Sequence, residues 1–362
     1  MNFRNLAVIG DGIIGSSIAY EANRRGLQVT QFCQEHPGQG SSAAGGMLTP
    51  AMEADLTSTP LFELANLSRT LYPDWIQTIE GLSGIETGYR QSGTLEVALH
   101  RDHISELEQL EAHQARLGFS TTRLSAAEVL EREPQLTHRV QGALLAESDH
   151  CVEPRRLLQA LTHILDTQGV KKCSTSDIDI DAAAGRISYA LNGKLYQQTF
   201  DDIVVAAGAR STKLLPRLNL PLRPVKGQFI RVRSSETLTS VVRTPDVYLI
   251  PRLNNEIYIG ASQEEVGFQD GTTLGETMDL LTDAWRTLPI LYDAEIIETG
   301  FGYRPALDDG NPLLGRVAET KVALAIGHFR HGVLLAPASA KVLLDELLEP
   351  HHEFDMSAFA PR

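Results

Sequence analysis

Ten residues into the chain stands Gly10-Asp11-Gly12-Ile13-Ile14-Gly15. Three glycines at this spacing can hold a diphosphate. Gly10 permits a tight turn, Gly12 lets the backbone close on a pyrophosphate, and Gly15 lets a helix approach a strand. The helix start then offers unpaired N–H donors and partial positive charge. The motif specifies a dinucleotide without separating one kind from another. An acid usually ends the second strand of such a unit and takes the ribose hydroxyls. Here Cys33 holds that place, followed by Gln34 and Glu35. Either Gln34 or Glu35 shifts into the role, or the ribose is held less tightly.

Other chemistries lack their residues. There is no phosphate loop of the GxxxxGK[ST] type and no GxSxG nucleophile turn. His100 with His103, and His351 with His352, have no acidic or cysteine partner at useful spacing, so no metal is expected. Lys226, in PVKGQ, is expected to serve local structure. Cys33, Cys151 and Cys173 are odd in number and far apart. They point to a reducing cytoplasm rather than a disulfide framework.

The elements that must position these residues can be read from periodicity. Leu6 to Ile9 is an apolar strand. Ile14, Ile18 and Ala22 then recur at helical spacing, and Gly26 stops the helix. Leu27 to Cys33 is a second strand. The segment from Pro37 to Pro50, PGQGSSAAGGMLTP, is too close to a compact unit to be a linker, and is expected to be a loop closing on a ligand. Helices are expected over Leu61 to Gly81, Arg101 to Leu117, Ser125 to Glu133 and Thr272 to Leu288. Another starts at Pro154, where the missing N–H costs nothing. The two charged helices of the middle region should pack outside the nucleotide core. Strands are expected over Thr94 to Leu99 and Asp202 to Ala207. From about Pro224 to Gly260 the pattern becomes antiparallel strands, which suggests a second domain. Near the end, GHFRHG turns into a helix.

The chain has 362 residues and a net charge of −14. That length suits two or three domains' worth of core, and the charge argues against a nucleic-acid surface. No stretch approaches the roughly 18 apolar residues of a membrane span, and no signal peptide is expected at the N-terminus.

Nine stretches together resemble the D-amino-acid-oxidase-like family of FAD-dependent oxidoreductases, and within it the glycine oxidases of thiamine biosynthesis. They are GDGIIGSSIAY, SSAAGGML, GTLEVAL, VEPRRLL, VVAAGARS, PVKGQ, YLIPR, GYRPALDDGNPLLGR and GHFRHGVLLAPA. The last two are the most specific. The resemblance implies an α/β fold in which a Rossmann-type FAD-binding domain (residues 1–85, 145–220 and 300–362) is interleaved with an α+β substrate domain on an antiparallel sheet (86–144 and 221–299).

It also implies site residues. Non-covalent FAD would meet Gly10, Gly12, Ile13, Ile14 and Gly15 at the pyrophosphate turn, Cys33 and Gln34 near the ribose, and Gly40 and Ser41 in the loop. Gly45, Gly46 and Met47 would lie against the isoalloxazine, and Ile178 would contact the adenine through its backbone. His328, Phe329, Arg330, His331, Gly332, Val333 and Leu334 would wrap the pyrimidine end of the ring. Arg304 would anchor a substrate carboxylate with its planar fork, Tyr248 would add a hydroxyl, and Arg330 would border the substrate. Asp246 stands where the family usually has histidine.

The implied reaction is oxidative deamination of glycine, other small amines or D-amino acids. Hydride passes from Cα to flavin N5, O2 is reduced to hydrogen peroxide, and the imine feeds thiamine thiazole synthesis. A dehydrogenase passing electrons to a quinone or carrier is the alternative within the enzymes, and a flavin-binding scaffold the alternative outside them. A cytoplasmic homotetramer without nucleic-acid partners is implied.

Overall fold

Asn5–Ile9 forms a strand buried on both sides, as its run Leu-Ala-Val-Ile requires. It pairs in parallel with Gln28–Cys33 on one edge and Asp202–Val205 on the other. The computed structural model describes residues 4–53, 59–175, 177–348 and 354–361. The first sheet runs in the order Leu313–Arg316, Val322–Ile326, Asp202–Val205, Asn5–Ile9, Gln28–Cys33, Lys171–Ser174, parallel except at the Leu313–Arg316 edge. The chain fills one side of Asn5–Ile9 first and the other later. This reversal opens a crevice at the carboxyl ends of Asn5–Ile9 and Asp202–Val205.

Four helices cover one face: Ile13–Arg24, Thr59–Ser83, Pro154–Thr167 and Gly332–Leu348. Ile18 and Ala22 are buried there and Ile14 packs against them, so the expected stripe is the core face. Below the other face lies a three-stranded ribbon, Ile178–Asp181, Arg186–Leu191 and Lys194–Thr199. It packs through Tyr189 and Phe200, both edge-on to Phe32.

The second sheet has eight strands in the order Glu295–Ala306, Arg223–Arg233, Glu256–Gly260, Tyr248–Pro251, Val241–Arg243, Thr94–Ala98, Gly142–Ala146, Thr122–Ser125. All neighbours are antiparallel except Val241–Arg243 with Thr94–Ala98. Leu280, Ala284 and Leu288, from Leu274–Thr287 and just after it, cover one face. Helices Arg101–Arg116 and Ala126–Arg132 also pack on this sheet, away from the dinucleotide crevice. Ser125 and Glu128 make a reciprocal cap at the start of the second of these.

Arg304, whose neighbouring glycines and proline suggest turns, lies inside the long strand Glu295–Ala306, paired with Arg223–Arg233 with one shift of register between Arg231 and Val232. Gly300 and Gly302 serve that strand by admitting the Phe229 ring and the Ala43 methyl, each 2.4 Å from where a Cβ would stand. The expected loop from Pro37 contains a short helix, Gly40–Ala43, and a strand, Met47–Leu48, paired with His150–Cys151. The expected domain division near residue 300 falls within the Glu295–Ala306 strand.

Candidate active site and cofactor cradle

The glycine turn is built by exclusion of side chains. Gly10 has φ +120°, and a Cβ there would lie 2.3 Å from the Ala206 carbonyl oxygen. A Cβ on Gly15 would lie 2.2 Å from the Gly10 carbonyl oxygen. Gly12 faces Ser41, whose Oγ accepts the Ile13 N–H at 2.9 Å. The first helical turn carries no acidic residue, so its dipole and the N–H groups after that of Ile13 can attract an anion. A diphosphate fits this cradle. Asp11 beside it is half-buried, and that burial raises its carboxyl above the usual range.

The segment that faces this turn is pinned from the second sheet and from the helix Pro154–Thr167. Tyr258 donates its hydroxyl to the Ala43 carbonyl at 2.6 Å, and Arg155 Nε donates to the Ser42 carbonyl at 2.6 Å. Buried Arg252 donates to the carbonyls of Gly45 and, at 3.0 Å, Val152. Gly46 has φ +73°, and a Cβ would meet the Val152 oxygen at 2.2 Å. The missing Cβ lets this segment pack directly against Val152 and Pro154.

One long cavity runs from the glycine turn to the face of the second sheet. Of the expected contacts, Gly10, Gly12, Ile13, Ile14, Gln34, Gly40, Ser41, Gly45, Gly46, Met47, His328, Phe329, Arg330, Gly332 and Val333 line it, as do Tyr248 and Arg304. Five do not. Gly15 is inside the helix against Gly10, and Leu334 is in the helical core. Ile178 pairs with Tyr189 and packs against the Phe32 cluster. Cys33 ends its strand with its thiol pushed up to about 12, chiefly by burial, and Gln34 beside it reaches the cavity. His331 turns to Glu53, 3.0 Å from Nδ1.

At the second sheet, Arg304 Nη1 donates to the carbonyls of Ser262 at 3.0 Å and Lys226 at 3.4 Å. Gly227 makes this possible, since a Cβ there would lie 2.4 Å from the guanidinium. Among the described residues no carboxylate lies within 4.0 Å of Arg304. Arg210 also lines the cavity, with its guanidinium stacked 4.6 Å above the Phe268 ring. Tyr248 lies parallel to Tyr258, with ring centroids 6.3 Å apart. Its ring fits because Gly260 has no Cβ. His328 is buried with Nε2 3.1 Å from Ser339 Oγ, and burial pushes its ring down to about 3. It therefore stays neutral.

A buried charge network borders this end, and periodicity and motif give no sign of it. Arg330 Nη2 donates to Glu53 Oε1 at 3.0 Å, Arg243 Nη1 lies 3.7 Å from the same oxygen, and Arg243 Nε lies 3.0 Å from Glu96. Burial alone would raise the Glu53 carboxyl, but His331, Arg330 and Arg243 outweigh it and hold the group well below its usual range. Asp149 fixes the turn before Glu53 by accepting the N–H groups of Ala51 (3.1 Å) and Met52 (2.8 Å). The one sequence signal is a glutamate in an apolar stretch, TPAMEA.

Asp149 itself makes pH testable. Burial pushes its carboxyl up to about 7, against the pull of those two N–H bonds. Above the unfolded value of about 3.9, the folded chain keeps a proton that the unfolded chain has released. The stabilisation from this group is therefore complete below that value and is lost as pH rises to about 7. The Tm of Asp149→Asn should lack this fall, so its difference from the parent should change across that window. A constant difference would show that Asp149 is ionised throughout.

The family model described as "DAO: FAD dependent oxidoreductase" matches residues 5–346. The chain is 32% identical over 363 residues to the bifunctional protein ThiO/ThiG of Trichormus variabilis, covering 98% of this chain and 54% of that protein. It thus spans about half the length of that relative. It is 30% identical to the glycine oxidase of Geobacillus kaustophilus, covering 98% of this chain and 96% of that one. The crystal structure of glycine oxidase from that organism superposes with a TM-score of 0.89 at 28% identity over 99% of both chains. The iminodiacetate oxidase of a Chelativorans species superposes with a TM-score of 0.90 at 26% identity, again over 99% of both chains.

Proposed function

Because this chain belongs to the FAD-dependent oxidoreductase family, we propose that it oxidises glycine and similar small amines or D-amino acids to imines. The observation that carries this reading is the Arg304 guanidinium. It lines the same cavity as the glycine cradle, and among the described residues its hydrogen bonds go to the carbonyl oxygens of Ser262 and Lys226. Such a group, with a planar fork and no partner carboxylate, suits the acid end of an amino acid. Tyr248 adds a hydroxyl on the same face. FAD held in this cavity would supply a hydride acceptor for the substrate Cα and an electron route to dioxygen, with hydrogen peroxide as the product. Gly10, Gly12 and the N–H groups after them would hold its diphosphate, and Gly45 to Met47 would lie along its ring.

The protein's part is orientation. Two fixed contacts on the carboxylate restrict the substrate to a few poses, so the Cα–H bond needs no further search, which lowers a barrier by several kcal/mol. No general acid is required at the amine, whose lone pair assists when it is neutral. Water then hydrolyses the imine, to glyoxylate in the case of glycine, unless a thiazole-forming step of thiamine synthesis consumes it first. Three free thiols support a cytoplasmic setting. Exposed Leu274, Met278 and Trp285 on one helix support assembly with further copies, a homotetramer by resemblance.

Anaerobic titration of the yellow holoprotein with glycine, sarcosine and D-alanine tests the reading. Bleaching by at least one, with peroxide formed in air, is the expected result. Bleaching without peroxide would transfer the reading to a dehydrogenase, and no bleaching by any amine would leave a scaffold. Within this reading, Tyr248→Phe removes one hydrogen bond to a charged group. It should lower kcat/KM for glycine by roughly 10- to 100-fold with flavin content unchanged.

A further inference from the structure

We propose that Glu53 determines which acids this cavity accepts, by occupying Arg330 so that a substrate can bring one carboxylate but not a second. The inference rests on Arg304 being the carboxylate anchor. Arg330 and Arg304 belong to adjoining segments: the Phe329 N–H donates to the carbonyl of Pro305, the residue after Arg304, at 2.9 Å. Both guanidiniums line one cavity. A molecule with two carboxylates would therefore find two arginines there, were both available.

Glu53 withdraws one of them. Its side chain is only 6% exposed, while that of Arg330 is 37% exposed. The acid is the fixed member of the pair. Its N–H bonds Thr49 at 2.9 Å, and the two residues before it are held by Asp149. Glu53 also lies 3.7 Å from Arg243, whose other partner is Glu96. Arg330 and Arg243 thus face Glu53 and Glu96, two cations against two anions. A second carboxylate arriving beside it would meet Glu53 as a like charge and find Arg330 already paired. With Glu53 made neutral the cluster gains one positive charge, and Arg330 is the member with room to turn toward an anion.

The test compares holoprotein and its Glu53→Gln variant on glycine and on iminodiacetate, which is glycine with a second carboxymethyl arm. The ratio of kcat/KM for iminodiacetate to that for glycine should rise by about 10- to 100-fold in E53Q, the worth of one charge-assisted bond. Adding Arg330→Leu to E53Q should abolish the rise, which a general loosening of the site would not do. A yellow E53Q protein with an unchanged ratio overturns the inference.

A binding measurement on the unaltered holoprotein needs no variant and remains decisive if E53Q does not fold. Perturbation of the flavin spectrum should show malonate binding no more tightly than acetate. Tighter binding of malonate overturns the inference. Arg304→Leu separates the two layers. If R304L oxidises glycine as readily as the parent, the anchor falls and the inference with it, while bleaching of the parent by amines decides the functional reading separately. If R304L does not, and E53Q still gains nothing, only the role of Glu53 falls.

Discussion

Arg304→Leu is expected to reduce kcat/KM for glycine by about 150- to 5,000-fold while the protein stays yellow. The guanidinium sits against Gly227 with its N–H groups on the Ser262 and Lys226 carbonyls, so one face is already held and the rest is open to the cavity. Truncating one partner of a desolvated charge pair costs about 3–5 kcal/mol, because the other charge is left without a counterion. Leucine is compatible with the strand Glu295–Ala306, whose backbone pairing with Arg223–Arg233 does not involve the side chain. In this reading the glycine turn and the 40–47 segment hold the flavin, so absorbance of the bound flavin should persist. Arg304→Lys should recover only part of the loss, since an ammonium supplies charge without the bidentate fork. Steady-state kinetics beside flavin content decide the matter. A yellow R304L that oxidised glycine as readily as the parent would remove the basis of the functional assignment.

Gly10→Val is expected to give protein without flavin, and little of it folded. Two independent penalties fall on this residue. Its φ of +120° is a conformation that β-branched residues rarely adopt, and its Cβ would stand 2.3 Å from the Ala206 oxygen and 2.7 Å from the Ala206 carbonyl carbon. Neither atom can yield, because both belong to the backbone just beyond the central strand Asp202–Val205. If the turn opened to admit valine, the N–H groups of the following helix would no longer converge on a diphosphate. Gly26→Ala provides the control. That residue also has a positive φ, +84°, but no atom lies within 4 Å of its would-be Cβ. It should cost only about 1 kcal/mol of backbone strain and leave flavin stoichiometry unchanged. Flavin-to-protein ratio and Tm measured on both variants distinguish a local steric block from a general sensitivity to substitution. Stoichiometric flavin in G10V would show that the turn is not the cradle.

Features made by neighbours in the chain are legible in the amino-acid sequence itself. Gly10, Gly12 and Gly15 lie within six residues of one another, and their use depends on φ and on the absence of a Cβ, both local properties. Ile14, Ile18 and Ala22 repeat at the helical period for the same reason. Arg304 and Tyr248 stand out as members of extended motifs. The strand carrying Arg304 does not, because Gly300, Gly302 and Pro305 resemble turn residues unless the partner strand is known. Glu53 has no such signature. Its partners Arg330 and Arg243 are far away along the chain, and Glu96 meets Arg243 only because the strands Thr94–Ala98 and Val241–Arg243 pair. A single charged residue reads as surface, since exposure is the cheapest place for it. Only the folded arrangement, which removes water from around these groups and brings opposite charges within 3–4 Å, makes the buried position tolerable and turns isolated acids and bases into a site.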